Sequence, residues 1–522
     1  MDVKDHVDVS EEDITHPPGT QVWFSNAGPR RGRLQAKSQI DQEAAPVQAD
    51  ISSPNDPLQW PAWRKDAVLI AVGLYSFLSA AFNPILATGF PEISETFGVA
   101  LQLISFTIGI YMLGLGVGAV IWCPTATLFG RRPVYLSAAV LLVASCAWTA
   151  ASQGYASLIL ARLLQGFAAT PGEMLVSVTV SEIFLPQERG FRLGIYMSLI
   201  AAGKSLSPLI GAGIIQGLGW RWVMWIGVIA SGICFVLLVV FSRETYWARS
   251  MNSSSTLGPR SPGEVYTEDL RISPPLRFTR TLAVFNGRLH ESSWLHLASR
   301  PFRLLTSPPL LWSAVVYALS LGWIAVLAET IAHLFQSVNG YGFTPVQTGL
   351  LYISPLLGTI VGSVIGGKIS DLMACARAYK NDGIYEPESR LLMVIPAAIS
   401  TVIGLAGYGW SIENEDHWIV PTVCFGLIYL GCVLGCTVAV TYCLDIHKSS
   451  AIEAQVVLSL FKNCHGLSFS LFIVDWVEAS GPRSTFLTLA GLHLAFLLIT
   501  VPMYIYGKGV RIWMAKREKS II

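Results

Sequence analysis

The chain has 522 residues, of which 52% are apolar and only 13% charged, and its formal net charge at pH 7 is +1. A soluble chain should be about 25% charged, so the composition excludes an ordinary soluble protein and favours one whose main solvent is lipid. A charge this close to neutral argues against nucleic-acid binding, which needs a basic face. The nine cysteines follow no metal-ligand spacing, so we expect neither a metal nor a cofactor.

Residues 1–65 are polar and rich in proline and acidic residues, which predicts a disordered cytosolic N-terminal tail. A bilayer core of roughly 30 Å requires about 20 apolar residues per helix, and twelve runs of that length follow. They span residues 67–89, 103–123, 134–152, 158–181, 193–216, 223–241, 309–332, 346–369, 391–410, 419–442, 452–474 and 485–506.

We therefore predict an all-α membrane protein with twelve transmembrane helices in two pseudo-symmetric six-helix bundles, residues 66–242 and 308–507. A cytosolic central loop, residues 243–307, separates the bundles, and a cytosolic C-terminal tail covers residues 508–522. The orientation follows from Arg131, Arg132 and Arg390, which fall in alternate loops, because lysine and arginine in short loops stay on the cytosolic side. Both termini are predicted to be cytosolic.

Short motifs stand at fixed places in this array: Gly130-Arg131-Arg132 after the second predicted helix, Arg162-x-x-Gln165-Gly166 in the fourth, and Gly203-x-x-x-Ser207-Pro208-x-x-Gly211 in the fifth. The ordered series resembles the major facilitator superfamily, and within it the fungal twelve-helix drug:proton antiporter branch, over about residues 55–511. The resemblance implies a secondary transporter that works by alternating access, with no enzymatic activity. It also implies a monomer.

The resemblance assigns gating or structural roles to the motif residues. These are Gly130, Arg131, Arg132, Gln165, Gly166, Gly203, Pro208, Gly211, Asp371 and Arg390. One departure concerns the acidic residue that the family carries just before Gly130: this chain has Thr127 there, while the second half keeps Asp371. We therefore expect Asp371, with Arg377 or Arg390, to carry more of the latch on the cytosolic side.

Ionisable side chains near the bilayer centre cost at least ~2.5 kcal/mol, so each one is a functional hypothesis. At about 1.5 Å per residue, Glu173 in the fourth helix and Lys204 in the fifth both fall near the midplane. A pair between them is either a static salt bridge or a site for substrate or protons. By resemblance, Arg162 takes part in proton coupling, with a structural hydrogen-bonding role as the alternative.

Other polar and aromatic side chains complete the candidate site. Lys462 and Asn463 lie midway along the eleventh helix and match a basic–asparagine pair of the fungal branch. Glu329 lies near the outer end of the seventh helix, a position that suits a vestibule or gate. The predicted substrate-binding residues are Glu173, Lys204, Lys462, Asn463, Tyr317, Trp323 and Glu329, and the predicted proton-coupling residues are Glu173 and Arg162.

The sequence thus predicts a plasma-membrane pump that exports small amphiphilic compounds, such as drugs, toxins or secondary metabolites, in exchange for protons. Its partners are a small-molecule substrate, protons and the lipid bilayer. Two alternatives stay open at this point. One is proton-coupled uptake of a polyamine or other small nutrient, and the other is a sensor that transports nothing.

Overall fold

A computed structural model describes residues 17, 20–22, 57–184, 186–245, 285, 287–289, 293–337, 340–381, 384–447 and 450–521. The helices of the first half are α1 (Ala62–Ala81), α2 (Phe90–Phe97), α3 (Leu101–Phe129), α4 (Arg131–Ala151), α5 (Tyr155–Ile183), α6 (Pro186–Leu218) and α7 (Trp220–Phe241). Those that follow are α8 (Trp294–Arg303), α9 (Pro308–Gln336), α10 (Pro345–Leu350), α11 (Ile353–Lys380), α12 (Val394–Glu413), α13 (Ile419–Ile446), α14 (Ala451–Ser470), α15 (Ile473–Ser480), α16 (Pro482–Leu498) and α17 (Thr500–Ile521).

All twelve predicted runs contain helix, and the all-α membrane fold is confirmed. Within the described ranges, nine helices are long and apolar enough to cross a membrane, or ten when the bent pair α14 and α15 counts as one. The first and fourth predicted spans, α1 and α5, fall outside that set. Three ionisable residues, Arg162, Glu173 and Glu182, lie on α5, and each of them lowers its hydropathy.

The first predicted run extends too far. It was expected to be helical over 67–89, but α1 ends at Ala81, and a short turn, Ala87–Gly89, precedes α2. Pro84 explains the difference, because proline disfavours the helical conformation of the residue before it and has no N–H to donate.

The motif glycines lie where two helix backbones touch. A Cβ atom on Gly166 of α5 would clash with the carbonyl oxygen of Tyr111 on α3, and one on Gly211 of α6 would clash with the carbonyl oxygen of Ile85. A Cβ on Gly203 would lie 2.5 Å from the carbonyl oxygen of Phe77 on α1. Small residues are favoured at membrane helix contacts because they permit this approach, so these glycines hold α1, α3, α5 and α6 together.

The segments predicted as a loop and as tails also contain ordered contacts. Helix α8 lies within the predicted central loop, and the backbone N–H of Leu289 donates to the carbonyl of Leu128 at the end of α3, at 2.7 Å. Strand β1 (Gln21–Val22) pairs antiparallel with β2 (Ile384–Tyr385). The last helix, α17, continues to Ile521, through the predicted C-terminal tail. We call the end of the molecule that carries α8 the linker side, and the opposite end the far side.

A buried ion pair anchors α17 on the linker side. The Arg511 guanidinium, which is fully buried, donates from Nε and Nη2 to the two carboxylate oxygens of Glu388, at 2.8 and 2.7 Å. Removing one partner of a buried pair destabilises a protein by about 3–5 kcal/mol. We expect Glu388→Gln to lower the free energy of unfolding by that order, and thermal unfolding of the solubilised protein measures it.

The neighbouring pair between Lys508 and Glu386 provides a matched control. Its Nζ–Oε1 distance is 2.6 Å, but the lysine side chain is 54% exposed. An exposed ion pair contributes only about 0–1 kcal/mol, so Glu386→Gln should leave thermal unfolding nearly unchanged. Equal destabilisation by the two substitutions would show that burial of the Arg511 pair does not matter.

Candidate functional site

Three charged side chains from both halves of the chain meet inside the membrane region. The Nζ atom of Lys462 on α14 donates to Oε2 of Glu173 on α5 at 2.7 Å, and Nζ of Lys204 on α6 lies 3.9 Å from Oε1. The exposed fractions of the Glu173, Lys204 and Lys462 side chains are 12%, 18% and 4%. We call these residues the charged triad. Two lysines and one glutamate give it a formal charge of +1.

The helix that carries Glu173 is fixed by side chains on three neighbouring helices. Pro171 has no N–H, so it leaves the carbonyl of Phe167 without its helical donor, and the Trp122 indole donates to that oxygen at 3.0 Å. The Tyr196 hydroxyl donates to the carbonyl of Glu173 itself at 2.6 Å. The Ser76 hydroxyl donates to the carbonyl of Gly172 at 2.7 Å. The backbone at Glu173 is therefore held in place by α1, α3 and α6.

The triad borders a cavity of about 30 Å³ between the two halves. Beside the triad, its lining residues are Asn83, Pro84, Ile108, Met112, Leu321, Ile324, Ala325 and Ala328. A volume of this size has room for about one or two water molecules, whereas drug-sized ligands occupy about 300–1,000 Å³. The cavity around the triad is therefore too small for a substrate in this conformer. The two halves must move apart before a substrate can bind there.

Polar contacts join the two halves on the far side. The Gln336 side chain at the end of α9 donates to the carbonyl of Thr88 at 2.8 Å. The backbone N–H of Val346 donates to Oε1 of Gln216 at 3.2 Å. Gln102 of α3 bonds to the backbone on both sides of the break between α14 and α15. The cavity is thus closed toward the far side.

Arg162, the predicted proton-coupling arginine, connects α5 to the end of α1 through hydrogen bonds. Arg162 is fully buried, and it donates from Nη1 to the carbonyl of Phe82 at 2.8 Å and from Nη2 to that of Asn83 at 3.1 Å. The Nη1 atom also bonds to Oε1 of Gln165 at 2.8 Å. The last carbonyls of a helix lack intrahelical donors and carry partial negative charge, so this guanidinium completes the end of α1.

The other predicted substrate residues lie outside the cavity. The Trp323 ring is fully buried and donates from Nε1 to Nδ1 of His493 at 3.0 Å. Asn463 is buried, and its Nδ2 bonds to Ser459 of its own helix at 3.4 Å. Tyr317 is half-buried and packs between two apolar clusters of the second half. Glu329 is buried against Ser470 of α14.

The latch on the linker side of the first half has two carboxylates in place of the acid missing at Thr127. Arg131 pairs with Glu182 at the end of α5, with Nη2 and Oε1 3.1 Å apart. Glu244 accepts the backbone N–H groups of Arg131 and Arg132, at 2.9 and 3.2 Å. A carboxylate is favoured at a helix N-terminus. Glu182 is the second-last residue of α5, and Glu244 lies three residues beyond the end of α7, so their position beside helix ends is a signal that could point to them.

In the second half, Arg390 pairs with Asp445, at the end of α13. Its Nε lies 3.2 Å from Oδ2 of Asp445, and the Tyr385 hydroxyl donates to the same oxygen at 2.6 Å. Burial, reinforced by the Asp445 charge, raises the pKa of Tyr385, so its hydroxyl stays a donor. Asp371 lies on α11, but its side chain is outside the described residues. Arg377 donates to the Tyr504 hydroxyl.

A helical membrane bundle that closes on a charged central cavity has the architecture of a secondary transporter. The family model of the Major Facilitator Superfamily matches residues 68–473, so the chain belongs to that superfamily. As predicted, this is a family of transporters and not of enzymes.

Known relatives agree with this assignment. The MFS-type transporter atr4 of Stereocaulon alpinum is 29% identical, over 97% of this chain and 90% of that protein. The efflux pump radE of Floropilus chiversii is 25% identical, over 90% and 86%. The xylose transporter XylE from E. coli, in a partially occluded inward-open conformation, shares the fold with a TM-score of 0.58 and 14% identity, over 85% of this chain and 99% of that one. The resemblance to the fungal branch is confirmed.

Proposed function

We propose that this transporter exports small amphiphilic compounds in exchange for protons and binds their polar group at the charged triad. The observation that carries the proposal is the origin of the triad: Glu173 and Lys204 belong to the first half, and Lys462 belongs to the second. A substrate bound there contacts both bodies that move in alternating access. The name of one relative, an efflux pump, supports export as the direction.

The charge of the triad narrows the substrate class. A site with a formal charge of +1 attracts an anionic group or a strong hydrogen-bond acceptor and repels an additional cation. Each lysine ammonium has three N–H donors, and Lys462 gives one of them to Glu173, so both lysines keep donors for such a group. Neutral and anionic amphiphiles therefore suit the site better than a polyamine, which would bring several positive charges to it.

The same charge constrains the proton coupling. A proton on Glu173 raises the charge of the triad to +2, which strengthens the binding of an anion and weakens that of a cation. If the substrate is an anion, a proton on Glu173 and the substrate favour each other's binding. Protonation of Glu173 by itself would therefore carry the proton and the substrate across the membrane in the same direction. Exchange of the substrate for a proton then requires a second proton-binding group. We assign to Glu173 the control of the charge of the triad, and to Arg162 the structural role of holding the end of α1.

Arginines on the linker side support its assignment to the cytosol. Arg131, Arg132 and Arg390 all lie there, and short loops rich in arginine stay on the cytosolic side of a membrane. Export then means that the triad opens to the linker side to bind substrate and to the far side to release it. We place the protein in the plasma membrane, as a monomer.

The test is cellular accumulation of a panel of amphiphilic acids, neutral aromatic compounds, amphiphilic amines and polyamines, in cells with and without the protein. We expect lower accumulation of acids or neutral compounds, and we expect a protonophore to remove the difference. Higher, protonophore-sensitive accumulation of a polyamine would replace the proposal with uptake. Unchanged accumulation of every compound would favour the sensor that transports nothing.

A further inference from the structure

We propose that Glu329 is the second proton-binding group and that its protonation closes the far side of the transporter. The inference rests on the proposed proton-coupled function. It starts from the position of Glu329 on α9, about two turns beyond Leu321 at the linker-side end of the cavity-lining stretch, where the carboxyl group lies outside the cavity and touches α14.

Among the residues that the structure describes, none provides a counter-charge to the buried carboxyl group of Glu329. Its residue is 1% exposed. The Ser470 hydroxyl donates to Oε1, and Oε2 has no hydrogen-bond partner in the part of the chain that the structure describes. An ionised carboxylate in such a place is strongly disfavoured, while the neutral acid loses far less on leaving water. The contracted conformer therefore holds Glu329 in its protonated form.

The elements packed against α9 carry other titratable groups. They include Glu92 and Glu95 on α2, Tyr111 on α3, Tyr429 and Cys432 on α13, Lys462 and His465 on α14, Asp475 and Glu478 on α15, His493 and Arg483 on α16, and Tyr504 and Tyr506 on α17. On α9 itself, His333 lies 3.7 Å from the exposed Glu478. Within the described ranges, no lysine, arginine or histidine nitrogen forms an ion pair with Glu329.

The hydrogen bond from Ser470 places Glu329 at the seam between the halves. Ser470 is the last residue of α14, where the chain bends by 46° into α15. Its carbonyl accepts a bond from Nε2 of Gln102 on α3 at 2.6 Å, and Oε1 of Gln102 accepts the backbone N–H of Val474 at 2.8 Å. A Cβ on Gly109 of α3 would lie 2.5 Å from Cβ of Ser470. A charge on Glu329 would thus act at the contact between α3 of the first half and the break between α14 and α15 in the second half.

A cycle follows from these contacts. When the far side opens, water reaches Glu329 and the ionised carboxylate becomes tolerable; a proton from the outside medium then binds to it. The neutral acid permits the Gln102 contacts to form again, and the far side closes. Release of that proton to water on the linker side completes its inward movement, opposite to the exported substrate.

Distances between spin labels on the two halves test this inference without substrate or a proton gradient. In a background with the exposed Cys375 and Cys464 replaced by serine, the labels stand at Gln153→Cys and Asn414→Cys, on the far-side loops. The protein is reconstituted in nanodiscs and frozen between about pH 5 and about pH 8. We expect the closed-to-open ratio to rise as the pH falls, by up to about tenfold per pH unit, the limit for one coupled proton.

Variants identify the group responsible. Glu329→Gln should stay closed at every pH, and Glu329→Asp should keep a pH-dependent ratio, which separates titration from misfolding. Glu478→Gln removes an exposed carboxylate on the same side and should behave as wild type. A pH-independent wild type, or a Glu329→Gln variant with the wild-type profile, would overturn the inference. Failure to export any compound would instead refute the proposed function and leave this distance measurement standing.

Discussion

Replacement of Glu173 by glutamine should abolish proton-driven export. The substitution keeps the shape of the side chain but fixes the formal charge of the triad at +2 at every pH, so an anionic substrate binds and is not released. A unit charge about 4 Å away changes a binding free energy by about 4 kcal/mol at an effective dielectric constant of about 20, which corresponds to release, and therefore export, slowed by at least about 100-fold. The two buried lysines without a counter-charge also lower the stability of the fold. Initial rates of export from loaded cells, normalised to the amount of protein at the membrane, measure the effect.

A double variant distinguishes loss of function from loss of folding. Glu173→Gln with Lys462→Gln restores the formal charge of +1, because one acid and one base are removed together. It should recover thermal stability and surface expression but not export, since the substrate loses the ammonium of Lys462. Normal export by the single variant, at normal expression, would contradict the role of Glu173.

Replacement of Lys462 by glutamine should impair substrate binding far more than the same replacement of Lys204. The two lysines face one carboxylate, but Nζ of Lys462 donates to it at 2.7 Å while Nζ of Lys204 is 3.9 Å away. Lys462 is also the more buried of the two and the one that belongs to the second half. Loss of a buried, hydrogen-bonded charge costs about 2–5 kcal/mol, so KM should rise by about 30-fold or more.

Lys204→Gln serves as the matched control, because charge, side-chain chemistry and the shared carboxylate are the same. Its longer contact predicts an increase in KM of about tenfold or less. The comparison uses concentration-dependent export of one substrate from the panel. Equal effects, or a larger effect at Lys204, would mean that the contact across the two halves does not hold the substrate.

The helices could be predicted from the sequence because the bilayer imposes a length and a composition on each of them. The prediction fails where the local geometry of the backbone determines where a helix begins or ends. Pro84 ends α1 eight residues before the apolar run does. Helix α8 was missed because it has only 10 residues, about half of what a membrane span requires. The motif glycines were recognised as a pattern, but the carbonyl oxygens that they contact could not be.

The sequence predicts how deep in the membrane each residue of the candidate site lies, but not the direction in which its helix turns the side chain. Residue counting places Glu173 and Lys204 at similar depth, and the structure brings them to 3.9 Å. The stronger partner, Lys462, comes from the other half of the chain, and the packing of one bundle against the other cannot be read from the order of residues. For the same reason the sequence placed Glu329 at the depth of an outer vestibule or gate but could not show that it is buried against Ser470 of α14.

The ion pairs on the linker side also depend on packing that the sequence does not show. Motif likeness pointed to Asp371, whose side chain lies outside the described residues, and it did not point to Asp445, which pairs with Arg390 from a different helix. Glu182 and Glu244 take the place of the acid absent at Thr127 because they approach Arg131 from two other helix ends. A charge can be supplied from any element that reaches the site, so a single missing motif residue does not mean that the latch is lost.

The central claim, export in exchange for protons of an amphiphilic substrate that binds at the charged triad, is tested most directly in vesicles that contain the purified protein and an acidic lumen. Substrate entry into the lumen and lumenal pH are recorded together, for wild type and for Lys462→Gln. The account predicts substrate entry accompanied by lumenal alkalinisation in wild type, with both lost in the variant. Substrate movement that ignores the pH gradient, or that follows the protons in the same direction, would contradict it.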